Sequence, residues 1–212
     1  FTWAESGIGV NLSRYPHVIV VTTEVGSYFD PDASTAAATT RRVRANPGGT
    51  GWIKCDANYV TSTLAKKEAQ SDGFMEAIFL DAAEHRYLEE GSSSNIFVLL
   101  KDGTLVTPDL KDTILPGITR SSVITLAEEW GITVEERPVT VDEAQAEGAE
   151  CFVSGTAAGV TPVESITHQG RIAVFNGGKI GELTVKLRDT LKGIQYGAIE
   201  DKHGWMHPVA RA

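Results

Sequence analysis

Cysteine is scarce in this 212-residue chain: Cys55 and Cys151 are the only two, and they stand far apart. No Cys-x-x-Cys pair exists, which removes zinc ribbons and dithiol redox motifs. So little cysteine fits a reducing compartment, and the cytoplasm is the expected location. Long apolar runs are missing as well. The longest, such as Val18-Ile19-Val20-Val21, fall far short of a membrane span, and no signal-peptide pattern is visible. Basic runs are lacking: Lys and Arg number 19 against 28 Asp and Glu, for a formal net charge of -9. Such a field repels phosphate backbones, so no nucleic-acid partner is expected. His17, His85 and His168 stand singly, and Gly204 between His203 and His207 argues against a helical metal pair, so no metal site is expected. Gly177-Gly178-Lys179 lacks the spacing of a P-loop, and no dinucleotide-binding glycine pattern follows a strand. Gly91-Ser92-Ser93-Ser94-Asn95 lacks the closing glycine of a nucleophile elbow, which argues against a serine hydrolase.

What is present is 42% hydrophobic residues, enough for one sizeable core and part of a second domain. The chain opens at Phe1-Thr2-Trp3-Ala4 and reads as the middle of a longer protein. His17 to Val25 is β-branched and predicts a strand. Gly26 to Thr40 is rich in Gly, Pro, Asp, Ser and Ala and reads as a connector at a domain boundary. Arg41 to Arg44, with three arginines, reads as a solvated charged strand or turn. Helices are expected over Tyr59–Gln70, Ile118–Trp130, Val141–Ala146 and Ile180–Gln195. The last of these turns Ile180, Leu183, Leu187, Leu191 and Ile194 to the core. Strands are expected over Ala77–Asp81, Arg86–Glu89, Asn95–Leu100, Thr104–Val106, Ile132–Arg137, Cys151–Ser154 and Val163–Thr167. This order lacks the regular alternation of a doubly wound sheet. It predicts a mixed α and β fold with a curved, barrel-like sheet and flanking helices.

Four places could carry chemistry together. Lys54 follows the glycine-rich approach Gly48-Gly49-Thr50-Gly51; buried against an aldehyde it becomes a nucleophile through a lowered pKa. Glu89 and Glu90 end a strand, so one carboxylate is expected to face inward and the other solvent. An inward acid can hold the ring nitrogen of pyridoxal phosphate protonated. Pro116 and Gly117 open a helix whose first free N–H groups, at Ile118 and Thr119, suit a phosphate. Ser154-Gly155-Thr156-Ala157 ends a strand in small residues that allow close approach of a ligand.

These segments resemble the class IV (fold type IV) pyridoxal-phosphate aminotransferases. The resemblance runs through Gly48 to Tyr59, YLEEGSSSNIF, TPDLKDTILPGITRSS, CFVSGTAAGVTPVESI and IQYGAIEDKHGWM, in order, from about Phe1 to Met206. Within that family the chain resembles branched-chain aminotransferases, while the EGSSSN segment is also similar to D-amino-acid aminotransferases. The resemblance implies pyridoxal 5'-phosphate bonded to Lys54, with Tyr59 on its phenolic oxygen and Glu90 on its pyridine nitrogen. It implies Gly117, Ile118, Thr119 and Thr156 around the phosphate, and Thr156, Ala157 and Tyr28 against the substrate. The implied reaction moves the amino group of Leu, Ile or Val to 2-oxoglutarate. Other readings on the same frame are a D-amino-acid aminotransferase, a 4-amino-4-deoxychorismate lyase, or a truncated, silent fragment. The implied partition is residues 1–25 as the remnant of a small N-terminal domain, 26–40 as an interdomain loop and 41–212 as the cofactor-binding domain. A homodimer is implied too. The family's phosphate-binding arginine belongs to the N-terminal domain, mostly absent here. Ala158-Gly159-Val160-Thr161 stands where some mammalian members carry a redox cysteine pair, so no such switch is expected.

Overall fold

The computed structural model describes residues 2–3, 14–21 and 35–209. Near the start, β1 (Thr2–Trp3) and β2 (His17–Val18) form a short antiparallel pair. The main body begins with β3 (Ala36–Thr39), α1 (Asp56–Ser71), β4 (Glu76–Leu80), β5 (Leu88–Gly91), β6 (Asn95–Leu100) and β7 (Leu105–Thr107). It continues with α2 (Ile118–Glu129), β8 (Val134–Glu136), α3 (Val141–Glu147), β9 (Gly148–Gly155) and β10 (Gly159–Pro162). It ends with β11 (Ser165–His168), β12 (Arg171–Val174), a 3-10 turn at Asn176–Gly178 and α4 (Glu182–Gln195). Ten strands form one mixed sheet in the order β10-β9-β6-β5-β4-β3-β11-β12, with β7 and β8 attached beside β6. The β3–β4, β3–β11 and β7–β8 pairs are parallel and the other pairings antiparallel. This is the mixed α and β fold expected from the order of elements.

Continuous apolar strands mark a sheet covered on both faces. In β6, Ile96, Val98 and Leu100 enter one core with Cys151 and Val153 of β9. The alternate residues Phe97 and Phe152 enter a second core under α2 and α4, their rings stacked with centroids 5.1 Å apart. A third, smaller core joins Ala65 and Ala69 of α1 to Ala77 and Phe79 of β4.

Several expectations need correction. The connector read over 26–40 ends in β3, an interior strand between β4 and β11. Ala36-Ala37-Ala38 has weak strand preference, but pairing on both edges decides the outcome, and Ala37 is fully buried. From His17 onward only His17–Val18 is strand; Val20 and Val21 are exposed, and 22–25 lie outside the described residues. α1 starts three residues before Tyr59; it buries Asn58, Ser62, Ala65 and Ala69 and leaves Val60 and Leu64 exposed. In α4 the core face is Leu183, Leu187, Leu191 and Ile194, while Ile180 precedes the helix and is half-exposed. Strands β10 and β12 were not anticipated.

Candidate active site

Lys54 sits on the turn that leads into α1. Its Nζ donates to the Tyr59 hydroxyl at 2.7 Å, a contact made possible because Tyr59 lies in the first turn of that helix. Asn58 holds the turn in shape. Its amide donates to the Thr50 carbonyl at 2.7 Å and to the Ile53 carbonyl at 2.8 Å, and its carbonyl accepts from the Thr50 hydroxyl at 3.0 Å. Asn58 is buried, so these bonds also satisfy an amide that would otherwise be costly to bury. Lys54 itself is exposed, contrary to the expected burial. Among the described residues it is the Tyr59 hydroxyl, not a closed cavity, that fixes the amine.

Glu89 and Glu90 are both buried, at 6% and 2% exposure, so the expected solvent-facing partner does not exist. The cause is position: β5 lies between β4 and β6, and both of its faces are covered. Glu89 accepts from the Thr113 hydroxyl at 2.7 Å, and its Oε2 has no hydrogen-bond partner among the described residues. Glu90 Oε1 accepts from the Leu115 backbone N–H and from the Asn95 amide at 3.4 Å. Its Oε2 faces the Arg44 guanidinium at 3.2 Å. Burial pushes the Glu90 carboxyl up to about 8, against the pull of Arg44 and of the Leu115 N–H. Burial raises Glu89 as well.

Arg44 is the largest departure from the sequence reading. It is 8% exposed, not solvated. Its guanidinium also donates to the Thr113 carbonyl at 2.9 Å and to the Gly51 carbonyl at 3.3 Å. Three cations in four residues look like a surface, and no periodicity separates Arg44 from Arg42, which pairs with the exposed Glu68. Asn58, Asn95 and Thr113 were missed for a related reason: their partners are backbone carbonyls, a hydroxyl and buried acids that only the folded chain brings into reach.

The two candidate anion turns adjoin Glu90 through Asn95. Asn95 faces Glu90 across the β5–β6 pair and Ser154 across the β6–β9 pair. Its amide donates to the Leu115 carbonyl at 2.9 Å. Gly117 precedes α2 and has no side chain to cap it; a Cβ there would lie 2.2 Å from Asn95 Oδ1. The helix start is thereby pressed against Asn95, and the first-turn N–H groups of Ile118 and Thr119 lack intrahelical acceptors. Thr156, Ala157 and Ala158 form the turn joining β9 to β10, with Gly159 at φ 60 permitting the reversal. Ser94 and Ser154 keep buried hydroxyl oxygens without hydrogen-bond partners among the described residues. The fold thus links Lys54, through its turn and Arg44, to Glu90, and Glu90 through Asn95 to both turns. Tyr28 lies outside the described residues.

Residues 5–166 match the family model described as "Amino-transferase class IV". A branched-chain-amino-acid aminotransferase of Mycobacterium tuberculosis (strain CDC 1551 / Oshkosh) is 42% identical over 212 residues, covering 95% of this chain and 58% of that protein. The crystal structure of the Escherichia coli branched-chain amino acid aminotransferase superposes with a TM-score of 0.76 at 36% identity, over 86% of this chain and 59% of that one. The enzyme from Thermobaculum terrenum in its PLP form superposes with a TM-score of 0.70 at 38% identity, over 79% and 52%. The chain therefore spans somewhat more than half the length of the relatives it matches.

Proposed function

Because the chain belongs to the class IV aminotransferases, we propose that it forms the cofactor-binding part of a transaminase that acts on branched-chain L-amino acids with 2-oxoglutarate as acceptor. The observation that carries this reading is the buried Glu90 carboxylate, joined by Arg44 to the turn of Lys54 and by Asn95 to the uncapped start of α2. The likeness to branched-chain enzymes over nearly the whole chain supports the substrate class.

The donor set fits pyridoxal phosphate. Lys54 would hold the aldehyde carbon, Tyr59 the phenolic oxygen and Glu90 the ring nitrogen. The first N–H groups of α2, at Ile118 and Thr119 beyond Gly117, would hold the phosphate with Thr156, where the helix dipole favours negative charge. Thr156 and Ala157 would meet the substrate carboxylate. When bound, the cofactor supplies an electron sink for the bond that breaks at the substrate Cα. Lys54 Nζ would take the substrate Cα proton as general base and give it back as general acid. Tyr59, already hydrogen-bonded to that nitrogen, keeps it within reach. Glu90 would hold the ring-nitrogen proton, and its burial would keep water from that contact. In this reading Tyr28 lines the side-chain pocket, and the protein works in the cytoplasm as a homodimer. The exposed Trp52, Ile53, Val60 and Leu64 near the Lys54 turn support a packing surface there.

The test is borohydride reduction of protein incubated with pyridoxal phosphate, followed by peptide mapping, beside turnover of Leu, Ile, Val and their D-isomers. The expected result is a label on Lys54 alone and L-selective turnover that Lys54→Ala reduces by at least about 1000-fold, as expected for loss of a nucleophile that is also the general base. Label on another lysine, or full turnover in Lys54→Ala, refutes the reading.

A further inference from the structure

Arg44 carries no chemical step in the function just proposed, yet the fold buries its guanidinium against three groups. The guanidinium reaches the carbonyls of Gly51 and Thr113 and the Oε2 of Glu90 at once. Gly51 makes that geometry possible: a Cβ there would lie 2.6 Å from the Thr113 carbonyl oxygen and 2.5 Å from the Ala45 Cβ. Gly51 is also three residues before Lys54, inside the turn that Asn58 clamps. One cation therefore touches both the acid of the site and the backbone that carries its lysine.

Stability alone does not account for this arrangement. A buried ion pair gains little over apolar residues of similar volume, because both charges lose their hydration. A planar fork with several donors, in contrast, fixes the direction of what it binds, which a lysine cannot do. The other charged groups facing Glu90 do not replace it. Glu89, its neighbour on β5, is an acid that drives a proton onto Glu90. Arg120 of α2 pairs with Glu136 at 2.7 Å and with the Pro108 carbonyl at 2.9 Å. The Leu115 N–H and the Asn95 amide contribute dipoles only.

We propose that Arg44 is a positioning residue: it aims the Glu90 carboxyl at the cofactor ring, favours its ionised form over the neutral one, and ties that aim to the Lys54 turn. The inference rests on the assignment of Glu90 to the ring nitrogen. The ionised carboxylate is the form that accepts a ring N–H, and the adjacent guanidinium lowers the cost of ionising it.

The test compares wild type, Arg44→Met, Arg44→Lys and Glu90→Gln, each as the full chain. The first readout needs no cofactor: infrared pH titration of the buried carboxyl band, assigned to Glu90 by its loss in Glu90→Gln. Arg44→Met is expected to move the protonation midpoint up by ~1 to 3 pH units, the usual effect of losing an adjacent opposite charge. Arg44→Lys, which keeps the charge, is expected to leave the midpoint within about one pH unit of wild type. The second readout is the dissociation constant for pyridoxal phosphate at neutral pH. It is expected to weaken about 10-fold or more in Arg44→Met, and several-fold in Arg44→Lys, as a fork becomes a point charge. Either variant, folded and at wild-type values in both readouts, overturns the proposal; should Arg44→Met fail to fold, Arg44→Lys decides on its binding constant. Failure of the functional reading is separate: wild type would then take no pyridoxal phosphate on Lys54, while the infrared midpoint would still report on Arg44.

Discussion

Replacing Glu90 by Gln should change how the cofactor-free protein depends on pH, and the change can be worked out from the site. The carboxyl moves from an ordinary value of 4.5 to about 8 on folding, with burial the largest cause. The folded protein therefore binds the Glu90 proton more tightly than the unfolded chain. That contribution to stability is fully present below about pH 4.5 and is lost as pH rises through the folded value near 8. At 1.36 kcal/mol per pH unit, the full window is worth about 5 kcal/mol. Glutamine has no proton to lose, so it lacks this slope. It also places an amide NH2 beside the Arg44 guanidinium, a mismatch of about 1 to 3 kcal/mol relative to the neutral acid that does not tilt the curve. The assay is urea unfolding of both proteins at steps from pH 5 to 8.5. The free energy of Glu90→Gln relative to wild type should rise with pH by several kcal/mol. The raised Glu89 and the lowered His168 titrate in both proteins and largely cancel in the difference. Parallel curves for the two proteins would show that Glu90 is not held against its charge, and the account of β5 as a doubly covered strand would fail with it.

Other consequences follow from single contacts. Asn58→Ala should free the Thr50 and Ile53 carbonyls, lower stability by about 1 to 3 kcal/mol, and slow turnover more than it weakens substrate binding; steady-state kinetics beside thermal melts will separate the two effects. Gly117→Ala should force Asn95 out of its pocket, because the added Cβ would lie 2.2 Å from Asn95 Oδ1; the expected result is weaker pyridoxal phosphate binding by fluorescence quenching, with β6 amides near Asn95 losing exchange protection. Phe152→Ala should remove one ring of the stacked Phe97–Phe152 pair in the core under α2 and α4 and cost about 3 to 5 kcal/mol in urea unfolding, with no change in the Lys54 label.

Legibility in the sequence followed from how local each signal was. Asn95–Leu100 was legible because an unbroken apolar run can only be a covered strand or a buried helix, and its turn at Lys101-Asp102-Gly103 chose the strand. α2 was legible because Gly117 and Gly131 bracket an amphipathic segment; Gly131 takes φ 76, as the end of a helix requires. β3 was not legible, since Ala36–Thr39 becomes a strand only by pairing with β4 and β11, and the latter lies far along the chain. Arg44 was not legible for the same reason: its partners Gly51, Thr113 and Glu90 converge from three separate segments.

The order of amine, acid, helix start and small-residue turn along the chain suffices to place it in its family, because each of those pieces is a short run whose chemistry is complete in itself. Which acids are buried, which arginine is an ion-pair partner and which faces of α1 meet solvent were decided only in three dimensions. Burial and pairing are properties of a neighbourhood, and here that neighbourhood is assembled from β5, β6, the Lys54 turn and the loop before α2, segments that no local pattern joins.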